Sequence, residues 1–339
     1  MNAFGRMFRI SLFGESHGES LGVVIDGCPA GLPLAPRDMR EDLLRRKGEG
    51  PAVTRRREPD EPTIMSGLAD GRTTGAPLAV VFRNTDARPA DYTLFADLPR
   101  PGHADFVAAK KFGGFGDLRG GGHFSGRLTL ALVAAGTVAK KLVAPAQLAA
   151  RLVEAGESAD IESAVRAAAD AGDSVGGVVE CRVRDLPVGL GEPFFDSVES
   201  LIGHMMFSIP GIKGIEFGSG FACARMTGSA CNDRIIDSLG TTETNHSGGI
   251  NGGLTNGNDL VFRVAVKPPS SIRREQRSFN MKTGELESFC VPGRHDVCVA
   301  QRVPVIVEAG AAIVLADLML QEQVIPRIWR LSHEPSKDP

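Results

Sequence analysis

Glycine constrains this chain more than any other residue type. It fills 41 of the 339 positions, about 12%, where an average protein has roughly 7%. The excess falls in short clusters, seven of them between residues 99 and 123, with no collagen-like period. A residue without a Cβ is favoured where backbone turns through positive φ or lies close to a ligand. Such a chain is expected to carry its sites on loops held by ordinary helices and strands. The remaining composition allows that, since 42% apolar and 23% charged residues are typical of a globular protein. At roughly 150 residues per domain, the length fits one large domain or two ordinary ones.

The formal net charge of −3 and a pI near 6.2 argue against a dedicated nucleic-acid binder, which carries a basic excess. Cys28, Cys181, Cys223, Cys231, Cys290 and Cys298 form neither a C-x-x-C pair nor a zinc-ligand spacing. They read as reduced thiols acting as small hydrophobes, and no metal is expected. Residues 1–14 lack a signal-peptide core. The longest mostly apolar stretch, residues 128–139, stops at Lys140-Lys141. It falls short of the roughly 20 residues that span a membrane and is expected to be a buried helix. The expected compartment is the cytoplasm, with neither membrane nor nucleic acid as a partner.

Period-2 alternation and turn residues predict strands over 8–13, 21–27, 78–82, 177–183, 214–218 and 260–266. Helices are expected over 36–47, with Pro36 in the first turn, and over 128–143, 161–171, 195–207 and 309–321. Residues 48–62, 99–123 and 244–257 read as loops, and 151–177 as a weakly patterned stretch that could be a surface excursion. The elements alternate without the regular spacing or glycine fingerprint of a dinucleotide fold. An α+β class, a layered β-α-β sandwich in a single large domain, fits better.

Five segments could carry chemistry. In Gly14-Glu15-Ser16-His17-Gly18, a histidine between glycines at a strand end can titrate and move a proton. A turn histidine capping the backbone is the competing reading. Arg45, Arg46, Lys47, Arg55, Arg56 and Arg57 form a cationic cluster suited to phosphate or carboxylate, or simply a solvated face. Arg100-Pro101-Gly102-His103-Ala104-Asp105 sets a second histidine beside a carboxylate after a turn. Arg119 to Arg127 nearly imitates a phosphate-binding P-loop, but Arg127 and Leu128 stand where that motif needs Lys and Ser/Thr. Downstream lie a glycine-rich loop at Asn245–Gly253, then Lys267-Pro268-Pro269-Ser270-Ser271 and Gly293-Arg294-His295-Asp296. Each of these last three, taken alone, reads more simply as an ordinary surface loop; together they could be the polar lining of a cofactor pocket.

Taken in order, the segments resemble the chorismate synthases. G-E-S-H-G, the R-R-E-P-D-x-x-x-x-x-S-G run from Arg56 to Gly67, R-P-G-H-A-D, R-G-G-G, N-x-x-G-G-I-x-G-G, K-P-x-S-S-I and G-R-H-D all occur in that family's sequence. The resemblance implies a catalytic domain over 1–325 followed by a polar tail over 326–339. It implies a 1,4-anti elimination of phosphate from 5-enolpyruvylshikimate 3-phosphate, giving chorismate, with reduced FMN required but no net redox change. By resemblance, His17 protonates the departing phosphate, His103 attends the flavin, and Asp296 assists proton transfer at flavin N5. Arg46 and Arg127 take the substrate or NADP(H). FMN contacts fall to His123, Phe124, Ser125, Pro210, Gly211, Gly252, Lys267, Pro268, Pro269, Ser270, Ser271 and Arg294. NADPH is the implied reductant and a homotetramer the implied assembly.

The chain departs from the family's usual R-S-S-A-R at His123-Phe124-Ser125-Gly126-Arg127, losing one cation and one hydroxyl. It also has Pro51 where many members carry another arginine. These changes motivate an alternative, a non-catalytic or altered-substrate FMN-binding paralogue. A flavin-dependent oxidoreductase is a further one.

Overall fold

The computed structural model describes residues 2–48, 58–85, 95, 97–291 and 295–330. Its first sheet joins β1 (Ala3–Phe4), β2 (Arg9–Gly14), β3 (Ser20–Asp26), β4 (Thr63–Ser66) and, after a small hairpin of β5 (Leu68–Ala69) and β6 (Arg72–Thr73), β7 (Leu78–Arg83). The order is β1-β2-β3-β7-β4, antiparallel throughout. Leu78, Val80 and Phe82 of β7 are fully buried while their neighbours are not, which is the alternation of a sheet with one face on a core.

The second sheet is antiparallel in the order β10-β13-β9-β8, from β8 (Gln147–Ala155), β9 (Gly177–Arg184), β10 (Ile212–Phe217) and β13 (Leu260–Val266). Between β10 and β13 comes the hairpin of β11 (Ile250–Asn251) and β12 (Leu254–Thr255). Another hairpin follows, β14 (Gln276–Phe279) and β15 (Leu286–Phe289). The helices are α1 (Arg40–Lys47), α2 (Asp105–Lys111), α3 (Thr129–Leu142), α4 (Ile161–Asp170), α5 (Val198–Ser208), α6 (Gly228–Cys231) and α7 (Val303–Gln321). Helix α3 packs on β3 and β7, α7 packs on β8 and β9, and the two helices pack on each other. The result is sheet, helices, sheet: the expected α+β sandwich.

Helix α7 is apolar on every side and buried accordingly. The segment Val299–Gln321 is long and apolar enough to cross a membrane, yet 94% of its most apolar window is buried within the chain. It therefore displaces residues 128–139 as the most apolar stretch. It also begins six residues before the expected start at 309, because Pro304 is tolerated in a first turn. Contact with α3 is close: a Cβ on Gly136 would lie 2.2 Å from the Cβ of Ala309. Asp317, also buried, accepts hydrogen bonds from the backbone N–H groups of Arg6 (3.0 Å), Met7 (2.6 Å) and Phe8 (2.8 Å).

Three further expectations need correction. The weak stretch at 151–177 belongs to β8, α4 and their connection, not to a surface excursion. The loop at 99–123 contains α2, and that at 244–257 contains the β11–β12 hairpin. At the C-terminus, Ile328 bridges to Ala30 and the Trp329 N–H donates to the Ala30 carbonyl at 2.7 Å; residues 331–339 lie outside the described set.

Candidate active site

The site begins where β2 stops. Gly14 has φ +99°, and a Cβ there would strike the Ser20 carbonyl at 2.4 Å. The chain turns and presents His17. Asn84, just beyond β7, holds this turn by donating to the Glu15 carbonyl (3.2 Å) and the Gly18 carbonyl (2.7 Å). The Ser16 N–H donates to the Gly122 carbonyl at 3.1 Å, tying the turn to the glycine triplet.

Gly120, Gly121 and Gly122 all have positive φ, so the triplet folds into a shape that side chains resist. A Cβ on Gly120 would lie 2.2 Å from His17 Cε1, and one on Gly121 would lie 3.6 Å from His103 Nε2. Both histidines thus stand against one strip of bare backbone.

His103 is oriented from behind. Its Nδ1 lies 2.6 Å from Asp105 Oδ1, and Asp105 also accepts from Arg100 Nε (2.8 Å) and Nη2 (2.9 Å). The Arg100 guanidinium stacks over Phe95 at 4.4 Å. Burial by itself would raise the Asp105 carboxyl, but hydrogen bonds from Arg100 and His103 outweigh it and hold the group well below the usual carboxylate range. A charged carboxylate at Nδ1 leaves Nε2 directed away from it, as in oriented catalytic histidines.

Two buried arginines also line the cavity. Arg127, buried, donates from Nε to Asn84 Oδ1 (2.7 Å) and from Nη1 to Asp60 Oδ1 (2.9 Å), with Glu58 3.8 Å from Nη2. Among the described residues, Arg127 Nη2 is buried without a hydrogen-bond partner, a costly condition that an incoming anion would relieve. Arg46, equally buried, donates to Thr129 Oγ1 and to the Gly126 carbonyl, each at 2.9 Å. Burial, only partly offset by Asp60, lowers it to about 10, so it stays charged at neutral pH. Elsewhere, Asp296 Oδ1 pairs with Arg302 Nη2 at 2.9 Å. Lys267 Nζ donates to the Gly102 carbonyl (2.6 Å) and Ser270 Oγ (3.0 Å).

One cavity of about 1490 Å³ gathers His17, His103, Asp296, Arg46, Arg127, His123, Phe124, Ser125, Pro210, Gly211, Lys267, Pro268, Pro269, Ser270 and Ser271. Gly252, in the β11–β12 turn, does not line it. Arg294, Arg55, Arg56, Arg57 and Pro51 lie outside the described residues. Within the cationic cluster, Arg45 turns away to grip the buried Glu308 with two bonds of 2.7 Å, and Lys47 donates to the Glu58 carbonyl. His123 sits at the cavity but places its ring nitrogens on the Gly14 carbonyl (2.9 Å) and Asn2 Oδ1 (3.0 Å). Ser125 Oγ accepts the Arg127 N–H at 3.3 Å and caps the next turn. Both side chains are therefore engaged in holding the loop. Arg100 and Asp105 belonged to a candidate segment without an assigned role, and Asn84, Glu58, Asp60, Arg302 and Lys213 were not foreseen as parts of the site. Glu58 and Asp60 lay in a recognised motif, whereas Asn84 carried only a turn signal.

Comparison with known proteins identifies the family. The family model described as chorismate synthase matches residues 8–320. A chorismate synthase of Chitinophaga pinensis is 59% identical over 331 residues, covering 97% of this chain and 100% of that protein. One from Opitutus terrae is 42% identical over 354 aligned positions, covering 95% and 97%. A crystal structure of chorismate synthase superposes with a TM-score of 0.72 at 27% identity, covering 94% of this chain and 93% of that one.

Proposed function

Because this chain belongs to the chorismate synthase family, we propose that its cavity eliminates phosphate from 5-enolpyruvylshikimate 3-phosphate to form chorismate, making it a carbon–oxygen lyase. The observation that carries this reading is the glycine strip, which holds His17 and His103 together at the cavity that the buried Arg127 also lines. A substrate with one phosphate and two carboxylates needs such cations in an otherwise acidic protein.

Reduced FMN fits the same cavity: bare backbone at Gly120 and Gly211, hydroxyls at Ser270 and Ser271, and the ammonium of Lys267 all line it. When bound, the flavin supplies transient electron density with no net redox change. Arg46 and Arg127 bind and orient the anionic substrate. His17 holds the proton destined for the departing phosphate oxygen. His103, fixed at Nδ1 by Asp105, offers Nε2 to the flavin side, and Asp296, steadied by Arg302, takes part in proton transfer there. NADPH serves as an external reductant.

A homotetramer in the cytoplasm completes the reading. Phe194, Phe195, Phe221 and Leu239 are 85%, 91%, 79% and 82% exposed, more than isolated chains usually leave to water together. Gly252, away from its own cavity, is then available to a neighbouring subunit.

The decisive experiment is anaerobic, with reduced FMN and the enolpyruvyl substrate. Phosphate and chorismate should appear in equal amounts over many turnovers per flavin. NAD(P)H consumption matched to product would favour the oxidoreductase instead, and FMN binding without phosphate release the paralogue.

A further inference from the structure

Strand β10 contains an irregularity that feeds the cavity. Ile212 pairs with Val266 and Gly214 with Ala265, so Lys213 has no residue opposite it. A bulge of this kind bends the strand and re-aims the extra side chain. Lys213 becomes part of the cavity wall. Lys267 belongs to the same wall, and its backbone N–H donates to the Gly211 carbonyl at 2.9 Å.

The two lysines differ in what they already hold. Lys267 is occupied by the Gly102 carbonyl and Ser270 Oγ. Lys213 has no ion pair among the described residues. Lys267 is pushed below its ordinary value first by burial and then by the charge of Lys213. Two ammonium groups that repel each other on one wall are stabilised by an anion between them. The Arg46–Arg127 wall is different, since Asp60 and Glu58 already neutralise part of its charge.

We propose that Lys213, delivered by the β10 bulge, binds with Lys267 the phosphate monoester of FMN and so selects FMN over riboflavin. This rests on the flavin reading proposed above. The shared chemistry is a phosphate monoester, and the substrate carries one too. Adjacency to Ser270 favours the flavin.

The test titrates FMN and riboflavin separately into wild-type protein, Lys213→Gln and Lys213→Arg, following flavin fluorescence. Lys213→Gln should weaken FMN binding about tenfold or more, the scale of one charged hydrogen bond, and leave riboflavin unchanged. Its FMN affinity should also depend less on salt, and Lys213→Arg should keep most of the preference. Because Lys213 is exposed and has no ion pair among the described residues, unfolding midpoints should match wild type. Equal weakening of both flavins, or unchanged FMN affinity, overturns the proposal. A raised KM for the enolpyruvyl substrate with FMN affinity intact would overturn it too, assigning the lysine to the substrate's phosphate. A wild-type protein that binds no flavin would instead bring down the flavin reading itself.

Discussion

His17 and His103 owe their common position to residues with no side chain, and this makes the glycines as testable as the histidines. His17→Ala and His103→Ala should each slow anaerobic phosphate release by ~10² or more if both move protons; near-normal rates in both would sink a two-histidine mechanism. Gly120→Ala should impair turnover as well, because its Cβ would invade the His17 ring at a backbone φ of +58°. Asp105 gives a pH-dependent test. Its folded pKa is depressed, so its stabilisation is complete above the ordinary carboxylate range, near pH 4, and fades as pH falls toward the depressed value. Asp105→Asn strips the buried Arg100 of its partner. Urea unfolding at pH 7 should show a loss of about 3 kcal/mol, and the gap from wild type should narrow at pH 3. A gap that is the same at both pH values would contradict the assigned role.

At the scale of elements, the tight α3–α7 crossing makes Gly136 a packing residue. Alanine ordinarily improves a helix interior by about 1 kcal/mol. Here Gly136→Ala should destabilise by about 1–3 kcal/mol through overpacking against Ala309, read from urea midpoints; a gain in stability would mean the helices can separate freely. Strands such as β7 and β13 were legible because large apolar residues alternate in them and one face is buried. Strand β8 was not. As an edge strand it is only half buried, and alanines and Arg151 dilute its period. Helix α2 has seven residues amid glycines, too few for a helical period to emerge. The start of α7 was masked by β-branched residues and Pro304, which resemble a strand or turn when read locally.

For the whole molecule, the motifs recognised from sequence were local strings, and the cavity gathered most of them. What escaped notice depends on distant pairing: Asn84 reaching back to Gly18, and Lys213 turned by the register of its strand with Val266 and Ala265. No single window of sequence contains such relations. If the exposed phenylalanines form subunit contacts, sedimentation should give four times 35.9 kDa, about 144 kDa. Phe195→Ser with Phe221→Ser should then yield smaller species, whereas a wild-type monomer would remove the basis for sharing Gly252. Helix α7 has a consequence for the order of assembly. A ribosome releases the amino end first, at roughly 5–20 residues per second. Both sheets therefore emerge before α7, which covers α3 and the inner face of the second sheet. The clasp of Asp317 on residues 6–8 spans 309–311 positions, so the first strand cannot be secured until synthesis is nearly over. A nascent chain arrested before residue 303 would leave the α7-facing sides of α3 and of the second sheet uncovered, and trigger-factor or Hsp70-type chaperones should bind it far better than the finished chain.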